Sequence, residues 1–401
     1  MSQSSAAFDR NPTRIVAGEE DAVLAELQAA LPVLMQRLRL AVVHGGDKAA
    51  PGSVIYPSVN ARSWKSYRAV AEDIAQALRR LGFRHVCLLA DDMRLGDRLR
   101  QERVHLAWLN SGGVQGYNPL AHAPAHLEML GVPYVGHDPL TAGTLDNKHA
   151  FKRDLVCFGL PTAPFITWHQ ARGAFRPKLN SRFLRTFKDH WGAYVVKPVS
   201  GRASLNVHVI DDEAGLPEAV AAVYAATANH VLIEAYLPGR EFCVAASGPL
   251  IARKGALFRN VEPFVFSAVE RVFVPGERIV TSMDVRPITK QQIRVLSPVS
   301  DAAEMARLSE LGRQVYLDFN LESLVRLDLR CDGAGRMHIL EANPKPDLKY
   351  PTVEVTNLVC AGLADTGMDY DDLILALLAN RLAGLLGHRR AWSGHILELL
   401  Q

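Results

Sequence analysis

Three short apolar runs constrain the fold of this chain more than any other feature. Leu40–Val43 ends in His44-Gly45-Gly46. His85–Ala90 follows a helix-length stretch near Ser66–Leu81, and Val104–Leu109 ends in Asn110-Ser111-Gly112-Gly113. A further helical stretch at Pro124–Leu130 leads into the strand-like Gly131–Gly136. Strand, glycine loop, helix, strand is the alternation of a parallel α/β unit. Ligands of such sheets sit at the carboxyl ends of the strands, where these loops fall. Upstream, residues 20–38 place Val23, Leu24, Leu27, Leu31, Leu34, Met35 and Leu38 at helical spacing, with Pro32 as a point of kinking. This reads as a packing helix, and a homodimer interface along it is a further expectation.

Composition narrows the class. The 401 residues are 48% hydrophobic and 22% charged, with 45 Lys+Arg against 42 Asp+Glu and a formal charge of +3. That is globular composition, long enough for two to three domains. No block of like charge points to nucleic acid or a membrane surface, and no stretch reaches the ~18 consecutive apolar residues of a membrane span. The N-terminal residues lack a secretory apolar region. Cys87, Cys157, Cys243, Cys331 and Cys360 are scattered and form no CxxC pair, so a cytoplasmic protein is expected.

From about residue 145 the rhythm changes. Asp146–Gly159 reads as one helix, Tyr194–Lys197 as a strand stopped by Pro198, and Leu205–Ile210 as its partner after the turn Ser200–Ser204. Leu216–Ala228 is helical, Val231–Glu234 is a buried-type strand, and helices follow at Ala302–Leu317 and Tyr370–Leu386. The chemistry concentrates in Leu324–Arg330 and Met337–Asn343, joined by a Gly-rich turn. Period-two alternation turns Arg326, Asp328 and Arg330 to one face of the first strand, and Glu341 and Asn343 share a face of the second. Paired, the strands gather two carboxylates and an amide near an arginine. Such hard oxygen ligands suit Mg²⁺ together with substrate phosphates; a solvated polar edge is the plain alternative. Lys197, emerging from an apolar strand beside a Ser/Gly turn, suits a phosphate contact, and the backbone of Ser200–Ser204 suits a phosphate nest or an ordinary hairpin. Glu234 and Glu241 flank a connector that offers acceptors to a purine and a ribose, or forms a salt-bridged linker. His44 is a candidate substrate contact.

The ordered set Asp146-Asn147-Lys148, Val196-Lys197-Pro198, Glu234, Gly239-Arg240-Glu241, Arg326-Leu327-Asp328 and Glu341-Ala342-Asn343-Pro344 resembles the ATP-grasp enzymes of the D-alanine–D-alanine ligase-like branch. The likeness runs over roughly residues 39–385. It implies an α/β chain, α+β towards its C-terminus, with an ATP-grasp fold behind an N-terminal parallel-sheet pre-ATP-grasp domain. The implied division is an extension at 1–38, that domain at 39–144, a small lobe at 145–236 and a large lobe at 237–401. Lys148 and Lys197 would contact ATP phosphates beneath a loop containing Ser204. Glu234 and the backbone at Leu237 would hold adenine, and Glu241 the ribose. Asp328, Glu341 and Asn343 would ligate two Mg²⁺ ions, with Mn²⁺ as a substitute, and Arg326 would stabilise the reacting carboxyl oxygen. The implied activity is ATP-dependent joining of a small carboxylic acid to an amine through an acyl phosphate. Alternatives are D-alanine–D-alanine ligase proper, another ATP-grasp carboxylase or kinase, or a nucleotide binder without turnover.

The departures lie at the substrate end. Asn343 is followed by Pro344-Lys345-Pro346-Asp347-Leu348-Lys349, with Asp347 where the family carries glycine. The family's acidic stretch after the first glycine loop is replaced by Asp47–Gly52, an insertion through Asn60, and Ser63-Trp64-Lys65-Ser66. The phosphate loop carries Arg202 and Asn206 in place of glycines. The family's third phosphate-contacting lysine has Arg271, Arg286 and Lys290 as candidates. Ser63, Lys345 and Lys349 are candidate substrate contacts, the two lysines for an extra anionic group.

Overall fold

The computed structural model describes residues 17–58, 64–201, 204–273, 276–279, 290–352, 356–387 and 393–401. The early apolar runs form a four-stranded parallel sheet in the order His85–Asp91, Arg39–Gly45, Leu106–Asn110, Tyr134–Val135. Leu40 and Val42 pack on one face, against the helices Ala17–Arg37, Arg68–Arg80 and Tyr370–Gly387. Ala41 and Val43 pack on the other, with Leu95, Leu99 and Leu127. Burial on both faces is why these strands read as unbroken apolar runs. The N-terminal helix spends its stripe inside the chain: Leu27, Leu34 and Leu38 are fully buried in the same core as Leu373 and Leu377. This is the packing role expected of it, with the chain's own C-terminal helix as partner.

A second, antiparallel sheet runs Phe165–Trp168, Val231–Ala235, Tyr194–Pro198, His208–Ile210. The helix Leu216–Thr227 covers it through Val220 and Val223. The partner of Tyr194–Pro198 is shorter than expected. Leu205 and Asn206 belong to a turn in which Ser204 and Asn206 take φ of 53° and 57°, a left-handed conformation that breaks strand geometry.

The third sheet is antiparallel with five strands: Ile293–Val295, Phe264–Arg271, Glu241–Ser247, Val325–Cys331, Met337–Asn343. One face buries Val325, Leu327 and Leu329 under the helix Ala302–Asp318 and under Phe151 and Leu155. The single helix expected over Asp146–Gly159 is two. Pro139–Asp146 stops, Asn147 takes extended angles, and Lys148–Cys157 restarts. The Asn147 side chain accepts from the amides of His149 and Ala150, the capping that asparagine favours over helix continuation. Among the described residues, no helix is long and apolar enough to cross a membrane.

Candidate active site

The second and third sheets face each other across a cleft of about 230 Å³, also lined by Tyr67 and Lys65 from the first domain-forming segment. Its geometry follows from strand register. Asp328 lies directly opposite Glu341, and Arg326 opposite Asn343. Strict alternation would put Glu341 and Asn343 on the same side as Met337 and Ile339, which are core residues. A register shift resolves this. Leu329 pairs with Ile339 while Asp328 pairs with Glu341, so Leu340 is an extra residue that reverses the strand's facing. Ala342 then enters the core, and Glu341 and Asn343 line the cleft.

Each cation of the cleft meets a carboxylate. Arg326 holds Asp328 bidentately at 2.7 and 2.8 Å, and Asn343 donates to the same carboxylate at 3.4 Å. Lys148, the first residue of its helix, reaches Glu341 at 3.1 Å and donates to the Gly201 carbonyl at 3.3 Å. Burial resists ionisation of Glu341, but Lys148, Lys197 and Arg326 outweigh it and hold its carboxyl below the usual range. Glu241 sits between two arginines in cross-strand register, Arg271 at 3.3 Å and Arg330 at 3.5 Å. Its carboxyl is nevertheless pushed up, by burial and by the nearby charges of Asp328 and Glu341.

Glu234 departs from expectation. Val231, Ile233 and Ala235 fill the core of the small sheet, so Glu234 projects from the opposite face, where Lys197 and Lys152 both grip its carboxylate. The side chain expected to serve adenine is thus engaged by two ammonium groups. Lys152 was not singled out from the sequence. It is fully buried, 2.9 Å from Glu234 and 2.7 Å from the Thr162 hydroxyl, which in turn donates to the Ile339 carbonyl. Its place four residues after Lys148, on the same helical face, was the available signal. Burial pushes the Lys152 ammonium down. Lys197 is pushed up despite burial, because Glu341 adds to the field of Glu234. Arg330 was also missed as a partner; it donates to the Tyr236 hydroxyl at 3.0 Å and stacks on that ring.

The remaining expected residues divide. Ser204, Leu237, Arg271 and Lys345 line the cleft. His44 does not: it is buried at the end of its strand, its Nδ1 3.1 Å from the Gly45 carbonyl. Lys349 is exposed in a turn closed by Asp347 and is not part of the lining. Ser63, Arg202, Arg286 and the Lys290 side chain lie outside the described residues. Among the described residues, no group of three or more His, Cys, Asp and Glu side chains is placed to hold an ion. The oxygen donors of Asp328, Glu341 and Asn343 still fit a hard divalent cation that completes its shell from a phosphate.

An antiparallel sheet pair clasping a cleft with lysines on one wall and carboxylates on the other defines an ATP-grasp ligase. Solved structures with this fold include D-alanine–D-alanine ligase from Bacillus anthracis complexed with ATP (TM-score 0.60, 17% identity, 89% of this chain and 99% of that one). Another is the VanG D-Ala:D-Ser ligase from Enterococcus faecalis (TM-score 0.60, 14% identity, 86% and 99%). The sequence family described as D-ala D-ala ligase C-terminus matches residues 155–379, more than half of the chain, and the chain belongs to it. It is an ATP-dependent carboxylate–amine ligase by that membership. Curated relatives include a D-alanine–D-alanine ligase of Synechococcus sp. (strain JA-3-3Ab), 26% identical over 80% of this chain and 90% of its own length. An uncharacterized protein, y4sG, of Sinorhizobium fredii is 27% identical over 71% of this chain and 75% of its own length.

Proposed function

We propose that the chain joins a small, amino-acid-sized carboxylic acid to an amine, with ATP converted to ADP and phosphate. The observation that carries this reading is the facing of Asp328, Glu341 and Asn343 against Lys148 and Lys197 across one cleft. In this reading Lys148 and Lys197 take the ATP phosphates, with the turn containing Ser204 above them. Adenine takes the backbone at Leu237, Glu241 the ribose, and Glu234 acts through Lys197 rather than on the purine. Arg271 is the cation nearest the role of a third phosphate contact, since it lines the cleft beside Glu241. Asp328, Glu341 and Asn343 would hold two Mg²⁺ ions, which neutralise charge on a transferring phosphoryl group.

A carboxylate is a poor electrophile, and its oxygen attacking the γ-phosphorus yields an acyl phosphate and ADP. The amine then adds to the acyl carbon, and the tetrahedral species collapses by expelling phosphate as the nitrogen loses its proton. The chain's part is to align the partners and balance charge. Arg326, released from one side of Asp328, is placed to bind the carboxyl oxygen on which charge grows. No side-chain nucleophile is needed. With this reading go the division of the chain at 38, 144 and 236 and a cytoplasmic setting, in keeping with five unpaired cysteines.

The test is a phosphate- and ADP-release screen over pairs of small acids and amines. Release that requires both partners supports ligation. Release with one partner alone points to a kinase, and ATP binding without release to a silent nucleotide binder; either would overturn the proposal.

A further inference from the structure

Beyond the nucleotide half of the cleft lies a second group of cations. The segment Trp64–Tyr67 is docked over the carboxyl ends of the parallel strands. Trp64 Nε1 donates to the Gly46 carbonyl at 2.8 Å, Gly45 donates to the Ser66 carbonyl at 2.8 Å, and Asn110 donates to the Tyr67 carbonyl at 3.0 Å. Tyr67 takes φ of 54° at the start of the helix Arg68–Arg80, and its ring edge lies against Gly112, where a Cβ would sit 3.0 Å from it. The ring is therefore fixed, and it faces the cleft from the parallel sheet. From the opposite side comes Lys345, two residues after Asn343, its ammonium 3.4 Å from the ring centroid, while Lys65 stands 5.5 Å from the same centroid. Both lysines and the ring line the cleft.

We infer that Lys65 and Lys345, gathered on Tyr67, form a subsite for a carboxylate of the substrate that is not the one activated. The inference deepens the ligase reading and rests on it. An aromatic face holds a lysine without neutralising it, so the ammonium keeps its charge for a ligand. A lysine is a compact point charge suited to one anionic oxygen pair, and two of them bracketing one ring fit a single carboxylate. The position fits as well. Asn343 and Arg326 mark the reacting end, and Lys345 follows Asn343 after one proline, so an amino-acid-sized molecule spans the two. The carboxylate has two sources: the α-carboxylate of an amino-acid acceptor, or an acidic side chain.

The experiment measures ADP release by the wild-type chain and by K345M and K65M, which keep side-chain length and remove charge. Three acceptor forms are compared: an amino acid, its α-amide, and an acidic amino acid. ATP affinity is measured separately by equilibrium titration. The expected result is a rise of about tenfold or more in KM for the carboxylate-bearing acceptor in each variant, with ATP affinity held. Preference of the wild type for the free acid over the α-amide assigns the α-carboxylate. Restored turnover of the α-amide by an added acidic side chain assigns the side chain. Equal use of acid and amide by the wild type, or equal KM changes for both in the variants, overturns the inference and leaves the ligase reading standing. Absence of ADP release with every acid–amine pair overturns both.

Discussion

Replacing Lys152 by methionine tests the physics of the cleft most directly. The Lys152 and Glu234 side chains are 0% and 3% exposed and 2.9 Å apart. Removing one partner of a buried pair costs ~3–5 kcal/mol, because the survivor is left charged and dry. Here Lys197 still contacts Glu234, so the cost should fall at the low end, about 3 kcal/mol. For an unfolding unit of 150–250 residues this lowers Tm by roughly 6–12 °C. Thermal unfolding followed by circular dichroism reads it. A double-mutant cycle with Glu234→Gln separates charge from packing: with Glu234 neutral, losing Lys152 should cost less, giving a coupling of about 1–3 kcal/mol. The same variant should raise the KM for ATP, since a Glu234 held by Lys197 alone draws that lysine away from a phosphate. A Lys152→Met protein within ~0.5 kcal/mol of wild type, or strictly additive with Glu234→Gln, would refute the reasoning.

Glu341→Gln should lower kcat for ADP release by about a hundredfold or more while the protein stays folded; a variant turning over at the wild-type rate would place the metal elsewhere. Chelation of divalent ions should abolish turnover, and added Mg²⁺ or Mn²⁺ should restore it, as read by phosphate release; turnover in chelator would contradict the assigned ligands. Deleting Leu340 removes the extra residue of its strand and should cost both stability and turnover, whereas Leu340→Ala should retain most of each; equal effects in the two variants would count against the facing reversal. His137 gives a pH signature. Burial, partly offset by its bond to the Leu324 carbonyl, pushes the imidazole from 6.5 down to about 4. The unfolded chain therefore binds the extra proton between those values, so stability is full above pH 6.5 and falls on the way down to 4, by up to about 1.4 kcal/mol per pH unit. His137→Gln, which keeps a donor and cannot charge, should lose less stability between pH 7 and 5 than the wild type in denaturant titrations.

The parallel sheet was legible because its strands are buried on both faces, leaving unbroken apolar runs between glycine loops. The metal-type residues were legible because polar side chains interrupt otherwise apolar strands. Two things escaped. The break at Asn147 hides inside a helical pattern, since capping depends on backbone angles rather than on periodicity. Lys152 escaped because a buried lysine looks like a surface lysine until its partner is placed beside it by the fold; Glu234 lies on another sheet. His44 and Lys349 looked functional by their neighbours in sequence, yet one is turned into its own strand and the other outwards.

The single surplus residue at Leu340 divides one strand into two jobs. Ahead of it the odd-numbered side chains are hydrophobic ballast; behind it the odd-numbered ones do the chemistry, and no turn or break separates the two stretches. An insertion or loss of one residue anywhere between Ile339 and Asn343 would therefore act like a reading-frame error, exchanging wall for interior along the rest of the strand. Substitutions there are local, whereas changes of length are not.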